Sequence, residues 1–550
     1  MGEWIATGSP WVWLTAGAVA VNLVMVLGLL YLIAARGLTH FWPAHLERFD
    51  YIQDDGTRTA VLGERMETET VHRAVLEHAG QAVPAGLEYV DRHLYKVGNR
   101  DVHGNDFQWF IGARSTAPEQ PADAVVFERV EWGNLHGFLE AVFEGEVEIA
   151  RGPAAWQELE RRLLRTDELR VRVREMERDR IGAVNYGMER LRLEHRRLEL
   201  AGGVAAADDA RIGTERAALQ RSFDELAADL RELNGQIGRD SVQVRLADGQ
   251  VVSVKLAKIV RAYRPNAMSM AAQLRHYASK LAEFVGDDPR EANTEGGIFP
   301  AIFGTVLMVL IMSVFVTPFG VVAAVYLHEY ARQGPLVRAI RVAVNNLAGV
   351  PSVVYGVFGL GFFVYFIGAR IDELFYAESL PSPVFGTPGI LWSALTLAIL
   401  TVPVVIVATE EGLARIPRAI REGSLALGAT KAETLFRTVL PMATPAMMTG
   451  LILAVARASG EVAPLMLVGV VKLAPTLPLD GNFPFLHLER KFMHLGFHIY
   501  DVGFQSPNVE AARPLVYATS MLLVVIIVSL NLAAIRIRNR LREKYNAAES

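Results

Sequence analysis

The sequence predicts a mainly α-helical membrane protein with six spans and a large α+β insert between the first two. Hydrophobic residues make up 51% of the chain while charged residues still reach 21%, a mixture that indicates a membrane part joined to a soluble part. Six stretches are also apolar and long enough to cross a bilayer, which takes about 20 helical residues. The predicted spans are residues 11–35, 299–327, 340–369, 389–409, 444–471 and 515–535. Pro351 and Pro464 are expected to break the helices of the third and fifth spans locally, as is common in transporters.

The first span is predicted to be an uncleaved anchor that covers residues 1–36. The apolar run from Trp11 to Ala35 has no Lys or Arg before it, and it is longer than the apolar core of a signal peptide. The net charge of −5 is mild and does not imply a nucleic-acid partner. The chain has no cysteine, which excludes disulfides, cysteine-ligated zinc and thiol chemistry.

Basic residues near the ends of the spans predict the orientation of the chain in the membrane. They cluster in the tail after the last span, in the loop between spans four and five, and in the short loop between spans two and three. With six spans these three regions lie on one side, which we expect to be the cytoplasm. Both termini are then cytoplasmic, and residues 37–297 form a periplasmic insert. The basic residues are Arg332, Arg338, Arg341, Arg415, Arg418, Arg421, Lys431, Arg437, Arg536, Arg538, Arg540, Arg542 and Lys544.

The insert shows three patterns along its length. Residues 37–150 mix short apolar runs with Gly and Asp, which is typical of an α+β region. Residues 154–237 carry apolar residues at alternating spacings of three and four, which predicts a coiled-coil hairpin of two long helices. Residues 241–256 alternate on both sides of an Asp-Gly pair at 248–249, which predicts a β-hairpin.

The loop between spans four and five is the most informative part of the predicted five-span core, residues 298–550. Its segment 421–441, REGSLALGATKAETLFRTVLP, is too polar to cross a membrane and is compatible with a helix up to Pro441. A short helix on the cytoplasmic face, with Gly428 allowing a turn or a close approach, is suited to docking into a groove on another protein. The composition alone fits an ordinary interfacial helix equally well.

This segment resembles the EAA loop of ABC-importer permeases. Glu422, Gly428, Leu440 and Pro441 stand at the spacings of that pattern, Gly423 and Ser424 replace its two alanines, and Thr438 replaces its isoleucine. The resemblance implies that the cytoplasmic loop 410–441 is the coupling loop, whose helix sits in a cleft of the ATPase subunit in this family.

Three further segments are similar to the permeases of phosphate ABC importers: residues 296–305, 345–360 and 450–469, with Val462 where the family usually has Thr. The resemblance covers about residues 287–540. It implies a type I ABC-importer permease core in the cell inner membrane that translocates inorganic phosphate. It also implies the partners, which are a second permease subunit, two ATPase subunits and a periplasmic phosphate-binding protein.

The chain is not expected to be an enzyme. No Gly-Lys dipeptide occurs in the sequence, so the chain has no GxxxxGK[ST] phosphate loop. ATP with its Mg²⁺ is therefore expected on the separate ATPase chain, with no cofactor bound by this one. HExxH, GxSxG and EF-hand patterns are also absent from the sequence, so we predict neither catalytic nor metal-binding residues.

Arg457 and Glu461 are the predicted substrate-pathway residues. They lie four residues apart in the fifth predicted span, a spacing that places two side chains on one face of a helix. Charges at membrane depth cost about 2.5–3.5 kcal/mol each, so the two side chains are expected to face a protein interior or a wet path. An anion importer needs a transient cationic site, but a purely structural ion pair is the alternative.

Two other functions remain open from the residues. One is a permease for another oxyanion, such as sulfate, molybdate or phosphonate. The other is a regulatory or scaffold membrane protein that acts through its periplasmic coiled coil. The coupling loop argues against the second, because a scaffold has no need for it.

Overall fold

The computed structural model describes residues 9–78, 80, 83, 88–506 and 509–546. The chain divides into two compact units, of which one is Met1–His40 with Ile298–Ser550 and the other is Phe41–Gly297. The two predicted cytoplasmic termini include residues 1–8 and 547–550, which lie outside the described residues.

The first unit holds the membrane helices. Within the described residues, six helices are long and apolar enough to cross a bilayer, which confirms the predicted number. These spans one to six are Trp11–Thr39, Phe299–Tyr330, Ser352–Phe375, Ile390–Ala414, Lys431–Gly460 and Ala512–Arg540. Span six is part of a longer helix, Val509–Asn546. Shorter helices of this unit are Pro335–Leu347, Arg418–Ala426, Leu465–Val468 and Leu495–Tyr500.

The third span differs from the predicted range 340–369. Residues up to Leu347 belong to a separate helix that begins at Pro335, and the span itself begins at Ser352, directly after Pro351. Proline lacks the N–H that a continuous helix would need, and its ring disfavours helical geometry in the residue before it. The apolar run therefore crosses a helix boundary that hydropathy does not register.

The fifth span also differs, at both ends, from the predicted range 444–471. The helix ends at Gly460, and Glu461 is extended with φ −79° and ψ 128°. Pro464 would place its ring against the carbonyl of Gly460 in a continuous helix, so the apolar residues that follow form a separate turn, Leu465–Val468. At the other end the helix already begins at Lys431.

Spans two, four and five form the core of the first unit. Met308, Met312, Leu397 and Ala454 are buried in one apolar cluster. Span four packs closely on its neighbours, because a Cβ at Gly450 would lie 2.8 Å from the Cβ of Ala408. Several buried hydroxyls donate to the carbonyl one turn earlier in the same helix, as Thr396 does to Trp392 at 2.7 Å and Thr401 does to Leu397 at 2.8 Å. These hydroxyls are thereby satisfied without a partner helix.

The second unit is built on two antiparallel sheets. One has the strand order β1-β2-β3-β4, and the other has the order β10-β5-β6-β8-β9 with β7 paired to β6. The strands are β1 Leu46–Ile52, β2 Arg58–His72, β3 Tyr89–Lys96, β4 Phe107–Ile111, β5 Ala124–Arg129, β6 Leu135–Glu144, β7 Val147–Arg151, β8 Asp240–Arg245, β9 Val251–Lys255 and β10 Ile259–Tyr263. The β8–β9 turn holds Gly249 at φ +90°, a conformation that glycine adopts without steric cost.

Two long helical stretches lie between β7 and β8. Pro153–Glu175 continues through a π-helical turn, Met176–Ile181, into Gly182–Leu200. The returning helix is Ala206–Ile237. Further helices of this unit are Arg73–His78, Arg100–His103 and Met270–Gly286.

The base of the helical stretch is attached to the larger sheet by apolar and ionic contacts. Ala155 and Leu159 are fully buried in the cluster that includes Val242 and Val244 of β8. Arg162 donates to Asp240 at 2.8 Å, to Glu158 and to Glu144. The first helix of the insert's hairpin is therefore part of the core of this unit rather than an appendage.

The second unit also has a buried carboxylate, Glu128, that is paired with cations. Burial raises the pKa of Glu128, but Lys280, 2.7 Å away, and Arg261 outweigh that effect and lower the pKa to about 2. Glu128 thus stays ionised at neutral pH inside the protein because both cations accompany it.

Candidate functional site

The loop between spans four and five consists of a short helix and a turn. Span four ends at Ala414, and Pro417 precedes a helix, Arg418–Ala426. We call it the coupling helix because it carries residues that the sequence predicts to act in coupling. The sequence favours this start because proline lacks the N–H that a first helical turn leaves unpaired. The side chains of Glu422 and Leu427 are exposed, the latter to 91%.

Gly428 ends the coupling helix in a left-handed conformation with φ +91°. Glycine is the residue that adopts this conformation after a helix without strain. A Cβ at this position would meet no atom of the described residues within 4 Å. The predicted turn at Gly428 is therefore present, and no described part of the chain approaches Gly428 closely.

A capping box then restarts the helix that becomes span five. The Thr430 hydroxyl accepts from the Glu433 backbone N–H, and the Glu433 carboxylate accepts from the Thr430 backbone N–H. This reciprocal pair satisfies two N–H groups that a new helix leaves unpaired. The combination of left-handed glycine and capping box gives a helix-turn-helix between the coupling helix and span five.

The predicted coupling residues fall on both sides of this turn. Glu422 and Gly423 are exposed on the coupling helix, and the Ser424 hydroxyl lies 2.9 Å from that of Thr434. Leu440 and Pro441, however, lie within the span-five helix. The predicted loop 410–441 thus overlaps the last turn of the span-four helix and the first turns of the span-five helix.

Pro441 is tolerated in a helix here because a π-helical turn, Leu435–Val439, precedes it. A wider turn accommodates a proline by removing the clash with the carbonyl one turn earlier. The predicted loop ended at Pro441 and the predicted fifth span began at residue 444. The π-helical turn lets one helix run from Lys431 through Pro441 instead.

Arg421 is a residue of this site that the sequence patterns did not single out. It donates to the carbonyls of Leu413 at 2.7 Å and Ile416 at 2.8 Å, and it lies 3.1 Å from a carboxylate oxygen of Glu329 at the end of span two. The only signal in the sequence was that both charges border apolar spans. No spacing rule pairs residues so far apart along the chain.

The predicted pathway residues, Arg457 and Glu461, are brought together by the structure. Arg457 Nε lies 3.6 Å from Glu461 Oε1, with the side chains 33% and 21% exposed. Glu461 is one residue beyond the end of the helix, so the pair joins the helix to the segment that follows it rather than lying along one helix face. The distance is longer than that of a paired, charge-assisted hydrogen bond.

The segment after Glu461 is closely packed. A Cβ at Gly356 of span three would lie 2.7 Å from the Cα of Pro464, and a Cβ at Gly496 would lie 2.6 Å from a methyl group of Val462. Span three and the helix Leu495–Tyr500 therefore both touch the break that follows span five. Among the described residues, no group of three or more His, Cys, Asp or Glu side chains is placed to hold a metal ion.

Residues 316–543 match the family described as "Binding-protein-dependent transport system inner membrane component". The chain is 34% identical over 247 residues to the phosphate transport system permease protein PstA 1 of Mycobacterium tuberculosis (strain ATCC 25618 / H37Rv), covering 44% of this chain and 70% of that one. It is 32% identical over 254 residues to PstA of Yersinia pestis, covering 46% of this chain and 76% of that one.

Other matches are shorter or more distant. PstA of Mycobacterium leprae is 36% identical over 194 residues, which are 35% of this chain and 58% of that protein, so the match spans less than two thirds of this relative. An inward-facing structure of the MetNI methionine ABC transporter has 18% identity and a TM-score of 0.32, covering 44% of this chain and 94% of that one. A TM-score of this size does not establish a shared fold. The two longer sequence matches do establish the family: the chain is a multi-pass membrane protein that belongs to the binding-protein-dependent transport system inner membrane components, within the group of permeases named PstA.

Proposed function

We propose that the chain is the transmembrane permease subunit of an ATP-driven importer that translocates inorganic phosphate across the cell inner membrane. The observation that carries the proposal is the identity to phosphate permeases of the PstA group over about 250 residues. The exposed coupling helix and its sharp turn at Gly428 lend support, because an importer without its own ATPase needs a surface through which another chain can act on it.

The proposed complex contains four kinds of subunit. This chain pairs with a second permease; it is itself 32% identical over 174 residues to PstC of Mesorhizobium japonicum. Two ATPase subunits bind on the cytoplasmic side and carry ATP with Mg²⁺, and a periplasmic phosphate-binding protein delivers the anion. The chain has a type I ABC-importer permease core, its termini are cytoplasmic, and its insert, residues 37–297, is periplasmic.

ATP would act through the coupling helix. Closure of the ATPase dimer on ATP binding would displace the cleft that holds residues 418–426, and the coupling helix would transmit this displacement to spans four and five. Such rocking of packed helices opens a path alternately to either side of the membrane. Glu422, Gly423, Ser424 and Gly428 are the residues proposed to contact the ATPase, with Leu440 and Pro441 at the start of the span that moves.

Arg457 is the proposed transient site for phosphate. Its planar guanidinium offers paired hydrogen bonds that suit phosphate oxygens, and it is partly exposed beside Glu461 at a loose 3.6 Å. A permanently strong site would trap the anion. Competition from Glu461 for the same guanidinium would let phosphate leave again.

Uptake by the purified complex in liposomes tests this function. The complex, copurified with its partner permease and ATPases and supplied with the binding protein, should accumulate labelled phosphate only when ATP is inside. Unlabelled phosphate should compete, while sulfate, molybdate and phosphonate should not. Uptake that sulfate or molybdate abolishes, with phosphate without effect, would reassign the anion. No ATP-dependent uptake of any of the four would exclude the importer function.

A further inference from the structure

We propose that Arg421 is a positioning residue that fastens the coupling helix to the cytoplasmic ends of spans two and four, so that both spans move when the ATPase moves this helix. The inference rests on the proposed function. The coupling helix is joined to spans four and five through the backbone. Arg421 adds a noncovalent contact through which movement of this helix also reaches span two.

The guanidinium of Arg421 contacts two different spans. Nη2 donates to the carbonyl of Leu413 at 2.7 Å, in the last turn of span four, and Nη1 donates to that of Ile416 at 2.8 Å, just beyond this helix. The carbonyls of the last helical turn, such as that of Leu413, carry partial negative charge. Nη2 also lies 3.1 Å from Glu329 Oε1, in the turn that ends span two.

The backbone of Glu329 is contacted by a second cation. The Lys431 ammonium, at the start of span five, donates to the Glu329 backbone carbonyl, and it lies 4.6 Å from the centre of the Tyr330 ring. The end of span two therefore contacts one cation from the coupling helix, Arg421, and one from the first turn of span five, Lys431. Gly428, which allows the turn, lies between these two cations in the chain.

Burial distinguishes this contact from the other charged contacts of the loop. The side chains of Arg421 and Glu329 are only 18% and 11% exposed. Arg415, in the same loop, is 80% exposed and lies 4.0 Å from Glu411, which is the kind of surface pair that contributes little. Charges that are removed from water are weak stabilisers compared with apolar packing, so stability alone does not account for an arginine here.

The position of Arg421 in the coupling helix also suits transmission. It directly precedes Glu422, whose side chain is exposed and is one of those proposed to contact the ATPase. A displacement of the helix must carry along the three acceptors of Arg421 or break charge-assisted hydrogen bonds, which are about twice as strong as neutral ones. Without Arg421, the coupling helix could move without displacing span two.

The test compares coupled and uncoupled ATP hydrolysis in the complete complex. In the Arg421→Gln variant, ATPase subunits should copurify as in wild type. Stimulation of hydrolysis by the phosphate-loaded binding protein, and phosphate uptake, should each fall roughly tenfold, a size typical of coupling between distant sites. Glu329→Gln should show the same pattern with a smaller loss, since Arg421 keeps its two carbonyl acceptors. The Arg415→Gln variant, which removes a nearby exposed arginine, should behave as wild type.

The double variant Arg421→Gln with Glu329→Gln should be no worse than Arg421→Gln alone, because the contact is already absent. Wild-type stimulation and uptake in both single variants would overturn the proposal. So would parallel loss of ATPase copurification, since Arg421 would then serve docking. Should Arg421→Gln fail to assemble, Glu329→Gln decides: full stimulation there overturns the inference. If the wild-type complex shows no ATP-dependent phosphate uptake, the proposed function is refuted. This result does not depend on any of the variants.

Discussion

At the scale of single residues, the ion pair of Arg457 and Glu461 connects a helix to its interruption. The helix ends at Gly460, so Glu461 does not share its backbone geometry with Arg457. The sequence predicted that these two charges meet, because a spacing of four places two side chains on one face of a helix. Pro464 also predicted a local break of this span, and the structure places that break directly after Gly460.

Substitution of both charges separates a pathway role from a structural one. Arg457→Gln alone should stop phosphate uptake under either role. Arg457→Gln with Glu461→Gln leaves no unpaired charge, so a structural pair should tolerate it far better than either single change. We expect the double variant to assemble and to remain inactive in uptake, while the binding protein still stimulates ATP hydrolysis. Near-normal uptake by the double variant would refute the pathway role.

Gly428 allows the docking contact to be tested apart from backbone strain. Alanine at φ +91° should cost roughly 1–2 kcal/mol, because an L-residue is strained there. Tryptophan bears the same strain and adds bulk at a position where a Cβ would meet no described atom of this chain within 4 Å. We expect Gly428→Ala to weaken uptake and Gly428→Trp to abolish it together with ATPase copurification. Equal uptake by the two variants would show that nothing docks closely at this turn. Gly428→Asn, which tolerates this conformation better, should retain the most activity.

At the scale of elements, the sequence predicted the number of spans but not their ends. Hydropathy averages over about 20 residues, so it continues through Pro351 and Pro464, where the backbone does not. The opposite error occurred at Pro441, which looks like a stop but follows a π-helical turn that accommodates it. The location of Glu422 and Gly428 on a helix and turn between spans four and five could be predicted because loop composition and glycine placement are local properties.

The helical stretch of the insert offers an element that can be shortened without touching the core. Its base, at Ala155 and Leu159, is part of the sheet cluster. Farther out, a Cβ at Gly187 would lie 3.1 Å from a Leu219 methyl group, so the two helices are close at this level. Replacing residues 188–218 by a short Gly-Ser link should therefore leave the sheets folded. We expect phosphate uptake to be unchanged, because the transport helices lie in the other unit.

The same variant discriminates the scaffold alternative. If the protein acts chiefly through its hairpin, the shortened chain should lose phosphate-responsive gene control while uptake persists. If uptake itself is lost although the variant reaches the membrane, the hairpin takes part in transport, and the expectation of an independent core is wrong. Hydrogen exchange of β5 and β6 in the shortened variant, compared with that in the full-length protein, serves as the folding control.

At the scale of the whole molecule, the lengths of the apolar stretches and the distribution of charged residues were enough to predict a mainly helical membrane protein with six spans. They could not predict the two-sheet architecture of residues 41–297, because pairing such as β6 with β8 joins strands that are separated by the entire helical stretch. They also could not predict the contact of Arg421 with Glu329. Local patterns specify elements, whereas long-range partners depend on how the elements pack.

The orientation of the chain is the prediction that belongs to the whole molecule. It rests on the positive-inside rule applied to the basic residues that flank spans two to six. The chain has no cysteine, so single cysteines can be introduced without a background. Ala205, in the turn between the two helices of the insert, and Arg332, in the loop after span two, are both exposed. In intact cells, an impermeant maleimide should label Ala205→Cys and not Arg332→Cys, and in permeabilised cells it should label both. Labelling of Arg332→Cys but not Ala205→Cys in intact cells would invert the topology and place the coupling helix on the side of the membrane without ATP.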